Sequence, residues 1–525
     1  ERRVGCGVWT SVNVQGQRMP EDGWYVVTSI DAGLQKMATE RLRDALISEE
    51  ASFGVAMVME AATGNILCMV NLSSGEERGT NYTERVYNHA MRTALCPGST
   101  MKLASTMAHL ETGGMDVNST VEIKGAAETV GKTRVVDSHN VAREVGSDSV
   151  TLRDGFAHSS NIFFAKAVYE RFKDDPKRYT EYLEDLLFND YVGLGEFKEA
   201  RSRVPHPGTE EWRRHGDNAT TLPRLAFGYI IELPTVHTLT FYNGVANGGR
   251  MVAPRLVDRI ERDGEVVKRM PVLTLKDKMC SAKTLDALYE CLAAAAVPER
   301  TAWRLKDLPI SFGCKTGTAQ IWSNFNTVAK KDYQQMLDGM TPSIDHYYLG
   351  SIVTMMPQDK PKYTIMVSVA KQSTPTHPTY FGISLTGSVA RDIMEYVYDN
   401  DPTLHATLES AETPYGATAI KSGESKAVEH ISKRLANGVD LKNDDSEWSI
   451  ATVNEAGCAV VETRKIEEGV VPNVVGMGLS DALNLLKHAG LKVTHTGAGR
   501  VVSQSIKNEK QINGNIKNIH LYLER

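Results

Sequence analysis

Residues 347–371 read YYLGSIVTMMPQDKPKYTIMVSVAK, and this stretch, together with FGCKTGTAQIW at 312–322, decides the fold class. Tyr347–Met356 and Tyr363–Lys371 have the short apolar runs that are typical of strands, and Phe312–Trp322 has the same character. Helical spacing dominates from Met101 to about Leu194. Three successive strands beside helical segments predict an antiparallel sheet flanked by helices, an α+β fold.

The sequence before these strands adds a helix and a hairpin. Tyr25–Ile30 predicts a strand, and Asp31 is a suitable cap for a helix whose apolar residues recur at roughly helical spacing. Val55–Glu60 predicts a second strand, which turns near Gly64 and returns as Ile66–Val70. We therefore expect the α+β pattern to begin close to residue 25.

Length and composition divide the chain further. At 525 residues and 57.8 kDa, two or more domains are expected. After Asn400 the sequence is rich in Ser, Thr, Glu, Lys and Gly, which predicts a linker or a loose extension. Residues 465–525 regain order, with a helix predicted at Ser480–Ala489, then Gly490 and two short strand signals. We interpret this segment as a small separate module.

Charge and cysteine usage exclude several classes of function. The net charge of -6 and the absence of a basic stripe argue against a nucleic-acid partner. The seven cysteines lack the spacing of a zinc site, so we expect mostly buried thiols, no metal and no cofactor. No run of about 18 apolar residues occurs, so nothing in this sequence is expected to span a bilayer. Because the chain opens at Glu1, we interpret it as a processed or engineered fragment that an N-terminal anchor would precede.

The first candidate site is Pro97-Gly98-Ser99-Thr100-Met101-Lys102, where a turn delivers a serine to an apolar helix, Leu103–Leu110. Ser99 and Lys102 lie three residues apart and share a helix face. A lysine amine can activate a serine hydroxyl if burial and a neighbouring cation depress its pKa. Backbone N–H groups at the helix N-terminus suit a developing oxyanion.

This motif has an ordinary structural interpretation as well. Ser99 would then cap the helix, and Lys102 would be solvated. The run Ser368-Val369-Ala370-Lys371 repeats the spacing, but it lies in a predicted strand, where the two side chains point to opposite faces. We assign that second copy to structure.

The second candidate is Ser159-Ser160-Asn161. Its hydroxyl and amide can face one cleft, where Ser159 would relay a proton to a leaving amine. Asn161 would donate to a substrate carbonyl and contact Lys102. The same spacing occurs at Ser11 and Ser138, and the alternative is a helix cap or a buried polar bond.

The third candidate is Cys314-Lys315-Thr316-Gly317-Thr318-Ala319, in a strand. Lys315 would place a positive charge near a substrate carboxylate and near Lys102. Two threonine hydroxyls follow, Gly317 lets substrate approach the backbone, and the Thr318 N–H is a candidate oxyanion donor. The alternative is a surface lysine and a glycine at a bulge. We interpret Cys96 and Cys314, which flank two of the motifs, as packing residues.

Ser-x-x-Lys, Ser-x-Asn and Lys-Thr-Gly in this order form the set found in penicillin-binding proteins and serine β-lactamases. From about residue 25 to 398 the chain resembles the transpeptidase domain of class B penicillin-binding proteins, and residues 471–523 resemble a PASTA domain. The likeness extends to Thr28–Gln35, Ala62–Leu67, Ala226-Phe227-Gly228 and Ala246–Gly249. One departure is Phe381–Leu385, which is less rich in glycine and alanine than the family leads us to expect.

The resemblance implies four segments: a remnant of an N-terminal pedestal at 1–24, a transpeptidase domain at 25–400, a linker or extension at 401–464 and a small α/β PASTA-like domain at 465–525. PASTA modules accompany division-type members more often than elongation-type ones, which favours septal synthesis. The implied catalytic residues are Ser99 (nucleophile), Lys102 (base), Ser159, Asn161 and Lys315, and the implied substrate-binding residues are Thr316, Gly317 and Thr318.

It also implies a reaction and a setting. Ser99 would attack the D-Ala-D-Ala end of a peptidoglycan stem peptide, release D-Ala and pass the acyl group to an acceptor amine. β-Lactams would act as covalent inhibitors. The implied partners are division-complex membrane proteins including a glycan synthase, and the implied location is the extracytoplasmic face of the bacterial inner (cytoplasmic) membrane.

Several alternatives stay open at this point. A D,D-carboxypeptidase would use the same acyl-enzyme with water as acceptor, whereas a β-lactam sensor would be acylated without turning over peptide. A non-catalytic scaffold would bind muropeptides or division partners. A serine β-lactamase is disfavoured because such enzymes are typically compact single domains. Release of D-Ala from a donor peptide would separate the enzymes from the sensor and the scaffold.

Overall fold

The computed structural model describes residues 2–4, 8–10, 23–74, 82–84, 87–194, 198–297, 300–322, 346–372, 381–405, 422–428, 439–442, 447–453, 459–464, 466–508, 510–514 and 516–524. The chain divides into two compact units, residues 1–404 and residues 405–525.

The first unit contains nineteen described strands: β1 Arg2–Val4, β2 Val8–Thr10, β3 Tyr25–Thr28, β4 Phe53–Glu60, β5 Ile66–Ser73, β6 Thr83–Glu84, β7 Ala94–Leu95, β8 Thr120–Glu122, β9 Ala127–Val130, β10 Thr133–Val136, β11 Ser149–Thr151, β12 Leu233–Pro234, β13 Met251–Val252, β14 Val257–Arg262, β15 Glu265–Arg269, β16 Thr274–Lys276, β17 Gly313–Trp322, β18 His346–Met356 and β19 Tyr363–Gln372. Its described α-helices are α1 Ala32–Ser48, α2 His89–Arg92, α3 Lys102–Glu111, α4 Val141–Val145, α5 Leu152–Ala157, α6 Asn161–Phe172, α7 Pro176–Asp185, α8 Glu210–His215, α9 Asn218–Leu225, α10 Thr235–Ala246, α11 Ala282–Ala295 and α12 Gly382–Asn400. Short 3₁₀ helices cover Gly98–Met101, Trp303–Leu305 and Pro402–Leu404.

A six-stranded antiparallel sheet forms the centre of this unit, in the order β17-β18-β19-β4-β5-β6. It joins the three strands and the hairpin that the sequence predicts, so the α+β prediction is confirmed. Asp31 caps α1 as expected, its side chain accepting from the Leu34 N–H at 2.8 Å.

The sheet is covered on both faces, which explains why β4 and β19 read as almost continuous apolar runs. Alternate residues of β4 enter different hydrophobic clusters. Val55 and Met57 pack with residues of α3, α6, α10 and α11. Ala56 and Val58 pack with residues of α1 and α12. The site described below lies on the side of α3.

The prediction of a helical region from residue 101 to 194 is only partly right. Five helices lie there, but two antiparallel pairs interrupt them, β8 with β11 and β9 with β10. The β9–β10 hairpin turns at Gly131, whose φ of 58° favours glycine. Strands of three or four residues contain too few alternating positions to register as a pattern, and only tertiary packing identifies them.

Residues 1–24, predicted as a pedestal remnant, lie largely outside the described residues. Arg2–Val4 pairs antiparallel with Val8–Thr10.

The second unit contains a sheet that the sequence did not predict. The strands β20 Gly423–Glu424, β21 Val439–Lys442, β22 Trp448–Val453 and β23 Ala459–Arg464 form a sheet in the order β20-β22-β23-β21. For these strands the prediction of a linker or loose extension over 401–464 is wrong. The strands are short and lie between stretches rich in Ser, Glu and Lys. In addition, β21 and β23 pair in parallel across a connection of sixteen residues, so no hairpin turn marks them.

The C-terminal module has the predicted helix, α13 Leu479–His488, which ends before Gly490 at φ 77°. Its sheet has three strands rather than two, β24 Lys492–Thr496, β25 Arg500–Gln504 and β26 Asn518–Glu524, in the order β24-β26-β25. Val474, Leu486 and Leu521 belong to its core. Across all the described residues, no helix is both long and apolar enough to cross a membrane.

Candidate active site

Ser99 lies in the 3₁₀ turn Gly98–Met101, which leads directly into α3. This turn is tightly fixed: the Gly98 N–H donates to the Gly228 carbonyl at 3.2 Å, and the Tyr242 hydroxyl donates to the Thr100 carbonyl at 2.8 Å. Gly228 has φ 89°, and a Cβ there would lie 2.0 Å from the Gly98 oxygen. Ser99 itself is half-buried. The backbones of Gly98 and Gly228 therefore lie so close that only glycine fits at position 228, and this contact fixes the turn that carries Ser99.

Lys102 is fully buried, which excludes the solvated lysine of the alternative interpretation. Its Nζ donates to the Ser159 carbonyl at 2.5 Å and to Asn161 Oδ1 at 2.8 Å, and lies 3.2 Å from Ser159 Oγ. The predicted contact between Asn161 and Lys102 is thus confirmed.

Ser159 and Asn161 are held by a carboxylate that the sequence analysis missed. Asp137 follows β10 and accepts hydrogen bonds from the Ser160 hydroxyl at 2.6 Å and from the N–H groups of Asn161 and Ile162. The cap of α6 is Ser160 rather than Ser159. Ser159 takes φ 55°, a value few serines adopt, which indicates that its surroundings over-determine its position. No residue type or spacing in the sequence singles out Asp137.

The amide of Asn161 has a defined orientation. Its Nδ2 donates to the Val136 carbonyl at 2.9 Å, which leaves Oδ1 for Lys102. One of the two Nδ2 hydrogens is therefore already used, and one stays available for a substrate carbonyl.

Lys315 approaches the same serine from β17 and is also fully buried, contrary to the surface-lysine alternative. Its Nζ donates to Ser159 Oγ at 2.8 Å and to the Thr316 carbonyl at 2.9 Å. The Ser159 hydroxyl therefore lies between two amines.

Burial dominates the electrostatics of both lysines. It holds the pKa of Lys102 well below the ordinary value, and the charge of Lys315 lowers it further, while Asp137 acts in the opposite direction. Burial lowers the pKa of Lys315 to about 7. Burial and the neighbouring charge of Lys315 both act in favour of the neutral amine of Lys102, the form that the role of a base requires.

The strand β17 passes close to the serine turn. A Cβ on Gly317 would lie 3.0 Å from Thr100 Cγ2 and 3.1 Å from the Pro97 oxygen. The sequence analysis explained the glycine at position 317 by the approach of substrate. The structure gives another explanation, because the missing side chain lets β17 pack against the turn Gly98–Met101. Thr316 is buried, and the Thr318 hydroxyl accepts from the Gly382 N–H at 2.8 Å, which leaves the Thr318 proton free to be donated.

The second Ser-x-x-Lys copy is structural, as predicted. Ser368 lies within β19, with its Oγ 3.0 Å from Ser351 Oγ, and Lys371 pairs with Glu49 at 2.8 Å. Cys96 and Cys314 also fit the packing interpretation, because burial raises the pKa of each thiol to about 12.

The sequence analysis missed a group of residues that can hold a metal. His139, Glu144 and His158 converge beside Ser159. Two histidines that lie nineteen residues apart, with a glutamate between them, match no common metal-binding spacing, so the sequence carries no signal for them.

Comparisons with known proteins agree with this arrangement. The family model of the penicillin binding protein transpeptidase domain matches residues 54–395, and the PASTA domain matches residues 469–524. A probable peptidoglycan D,D-transpeptidase PenA of Neisseria flavescens is 22% identical over 387 residues, covering 72% of this chain and 82% of that protein. A probable peptidoglycan D,D-transpeptidase PbpC of Pseudomonas aeruginosa is 25% identical over 379 residues, covering 72% of this chain and 59% of the relative.

Solved structures show the same fold. Penicillin binding protein 2X of Streptococcus thermophilus superposes with a TM-score of 0.57 at 18% identity, over 96% of this chain and 72% of that one. The transpeptidase domain of Burkholderia pseudomallei penicillin-binding protein 3 has a TM-score of 0.54 at 21% identity, over 71% of this chain and 98% of that one. Because the transpeptidase match takes in most of the sequence, from residue 54 to residue 395, the chain belongs to the penicillin-binding protein transpeptidase family.

Proposed function

We propose that this chain is a peptidoglycan D,D-transpeptidase that works through an acyl-enzyme on Ser99. The observation that carries the proposal is the buried amine of Lys102, which lies one turn from Ser99 and is hydrogen-bonded to both Ser159 and Asn161. Burial lowers the pKa of this amine, the direction that the role of a base requires.

In the first step, Ser99 Oγ attacks the carbonyl carbon of the penultimate D-Ala of a donor stem peptide, and its proton passes to Lys102 Nζ. Backbone N–H groups of Ser99 and Thr318 stabilise the oxyanion. The C–N bond then breaks, and the nitrogen of the leaving D-Ala takes a proton through Ser159 Oγ. Ser159 Oγ lies 3.2 Å from Lys102 Nζ and accepts a hydrogen bond from Lys315 Nζ, which makes it a suitable relay.

In the second step, the amine of a neighbouring stem peptide attacks the ester carbonyl and gives a proton to Lys102 Nζ. The bond between the carbonyl carbon and Ser99 Oγ then breaks, and the proton passes from Lys102 to Ser99 Oγ. Lys315 and the Thr318 hydroxyl bind the terminal carboxylate of the donor. Asn161 binds a substrate carbonyl through its free Nδ2 hydrogen, and Thr316 and Gly317 form the edge along which the peptide lies. A β-lactam follows only the first step, because its leaving nitrogen stays tethered.

We assign the protein to septal wall synthesis at the extracytoplasmic face of the bacterial inner membrane, with division-complex proteins and a glycan synthase as partners. The PASTA domain supports this assignment. A peptidoglycan D,D-transpeptidase FtsI of Buchnera aphidicola, 32% identical over 101 residues, 19% of this chain, supports the transpeptidase activity.

The test of the chemistry is the mass of the intact protein after incubation with a penicillin, followed by peptide mapping. The expected result is one adduct per chain on Ser99, which Ser99→Ala abolishes and Ser368→Ala leaves in place. Ser368 is the matched control because it has the same spacing to a lysine within a strand. An adduct elsewhere, or none, would contradict the site.

A second measurement separates the transpeptidase from its alternatives. A D-Ala-D-Ala donor peptide is incubated with and without an added amine acceptor. A transpeptidase releases D-Ala and forms the amide with the acceptor, whereas a D,D-carboxypeptidase forms only the hydrolysed peptide. A β-lactam sensor or a muropeptide-binding scaffold releases no D-Ala.

A further inference from the structure

Three side chains of types that bind metals, His139, Glu144 and His158, lie close together next to Ser159. Glu144 Oε2 lies 3.0 Å from His158 Nδ1 and 3.5 Å from His139 Nε2. One ligand atom from each residue lies within 4.8 Å of the other two. None of the three takes part in the acyl-transfer chemistry described above.

The donor set has a known coordination preference. Two imidazole nitrogens and one carboxylate oxygen form a His₂Glu set, which binds zinc with a water in the fourth position. Ligands about 2.0–2.1 Å from a tetrahedral ion lie about 3.3 Å from one another. The distances of 3.0 and 3.5 Å to Glu144 already lie near that value.

Each imidazole directs one nitrogen towards Glu144, His139 through Nε2 and His158 through Nδ1. His139 Nε2 is shielded from solvent and makes no hydrogen bond to any described residue. Its other nitrogen lies 2.9 Å from Ser138 Oγ, the kind of outer contact that fixes the tautomer and the ring orientation of a metal-binding histidine. The His158 side chain is only 5% exposed.

An ordinary ion pair between His158 and Glu144 is the simplest alternative. Such a pair leaves His139 Nε2, which lies 3.5 Å from the same carboxylate oxygen of Glu144, without a hydrogen bond to any part of the chain that the structure describes. A cation bound by all three side chains would use that nitrogen as a ligand.

The cluster joins three segments that surround the Ser159 motif. His139 follows the loop that holds Asn161 through Val136 and Asp137, Glu144 lies on α4, and His158 directly precedes Ser159. An ion bound to all three would fix the unusual backbone of Ser159 relative to the Asp137 loop.

We propose that His139, Glu144 and His158 bind one Zn²⁺, completed by water, and that this ion positions Ser159 between Lys102 and Lys315. The binding proposal is independent of transpeptidation, because a zinc site would be present whatever the acyl acceptor is.

The test uses the full chain, stripped with a chelator and then titrated with zinc chloride by calorimetry, with the bound metal measured after gel filtration. Glu144→Gln and His139→Gln change exposed or half-buried side chains and should fold. The matched control is His206→Gln, since His206 pairs with Glu184 at 2.5 Å without a third ligand. Circular dichroism checks the fold of each variant.

The expected result is one zinc per chain in the wild type and in His206→Gln, with affinity at least about 100-fold weaker in the other two variants. Zinc should raise the melting temperature only where it binds. A wild type that retains no zinc, or cluster variants that bind it as tightly as the wild type, would overturn the site.

The positioning role has its own readout. Chelation should slow penicillin acylation of the wild type and have no effect on Glu144→Gln. If zinc binds at this cluster and its removal leaves the acylation rate unchanged, the site stands and its positioning role is wrong.

Discussion

At the scale of single residues, the site depends on amines that water does not reach. Lys102 and Lys315 are both fully buried, and their nearest oxygens belong to Ser159, Asn161 and Thr316. An amine in water would be protonated at neutral pH and could not accept the proton of Ser99. Burial is therefore the property that turns an ordinary lysine into a base.

Removing the amine of Lys102 while keeping its volume tests this directly. Lys102→Met should slow acylation by penicillin by about 10²- to 10⁴-fold, the usual contribution of a general base. Lys102→Arg should lose activity to a similar degree, because a guanidinium keeps its proton. The measurement is the second-order acylation rate with a fluorescent penicillin. A rate within a few-fold of the wild type in Lys102→Met would assign the base to another group.

The pH dependence of acylation has a predictable sign. Because the base must be deprotonated, the rate should rise with pH and level off, with an inflection well below the ordinary lysine value. The charge of Lys315 lowers the pKa of Lys102. Lys315→Met should therefore move the inflection to higher pH, besides lowering the plateau. Rate profiles of wild type and variant over the same pH range provide the check, and an inflection that moves to lower pH would contradict the coupling.

The sequence predicted the residue types of the site but not their surroundings. The three motifs identified Ser99, Lys102, Ser159, Asn161 and Lys315, and the structure brings the last four together. Asp137 was not predictable, because a carboxylate that caps a distant helix has no local sequence pattern. The burial of both lysines depends on packing between segments more than fifty residues apart, which no spacing encodes.

At the scale of elements, the turn that carries Ser99 depends on close approaches between backbones. Gly228 accepts from the Gly98 N–H, and a Cβ at Gly228 would lie 2.0 Å from the Gly98 oxygen. A second close approach involves β17, since a Cβ at Gly382 would lie 2.0 Å from the Gly317 oxygen. The Phe381–Leu385 segment thus has its glycine at the position where β17 requires one, although the segment is poorer in glycine than expected.

Gly228→Ala should displace the serine turn. The left-handed backbone alone costs about 1–2 kcal/mol for a residue with a Cβ, and the clash with Gly98 adds to it. A misplacement of about 1 Å can cost about 100-fold in rate, so acylation should fall by at least about 10-fold. The acylation rate and the melting temperature are measured together.

The matched control for this variant is Gly248→Ala. Gly248 has φ 68°, but a Cβ there would meet nothing within 4 Å. It should lower the melting temperature through the backbone cost alone and leave the acylation rate unchanged. Equal loss of activity in both variants would mean that strain, rather than the position of the serine turn, limits acylation.

Element length explains which parts of the fold were predictable. The five strands of eight to eleven residues in the central sheet were all predicted, because each has a long apolar run or several alternating positions. The sixth strand, β6, has two residues and was not predicted. Of the strands of two to four residues in the first unit, β3 was predicted, whereas β8 to β11 were not. The sheet at 423–464 was missed because its strands have only two to six residues and lie between stretches rich in Ser, Glu and Lys.

At the scale of the whole molecule, the chain has separate cores in its two units. The clusters on both faces of the central sheet belong entirely to residues 1–404, and the cluster that includes Trp448, Leu486 and Leu521 belongs entirely to residues 405–525. Each unit thus has an apolar core of its own, as independently stable domains do. The two units are therefore expected to unfold in separate steps.

Differential scanning calorimetry of the full chain, with and without bound penicillin, tests this division. We expect two transitions, the larger from the first unit, because unfolding enthalpy scales with the number of residues. The acyl group stays on Ser99 when the chain unfolds, but it contacts the surrounding site only in the native first unit, so acylation should change the melting temperature of that transition alone. Ser99→Ala, which forms no adduct, should show both transitions unmoved by penicillin. A single transition, or a shift of both, would mean that the two cores unfold as one cooperative structure.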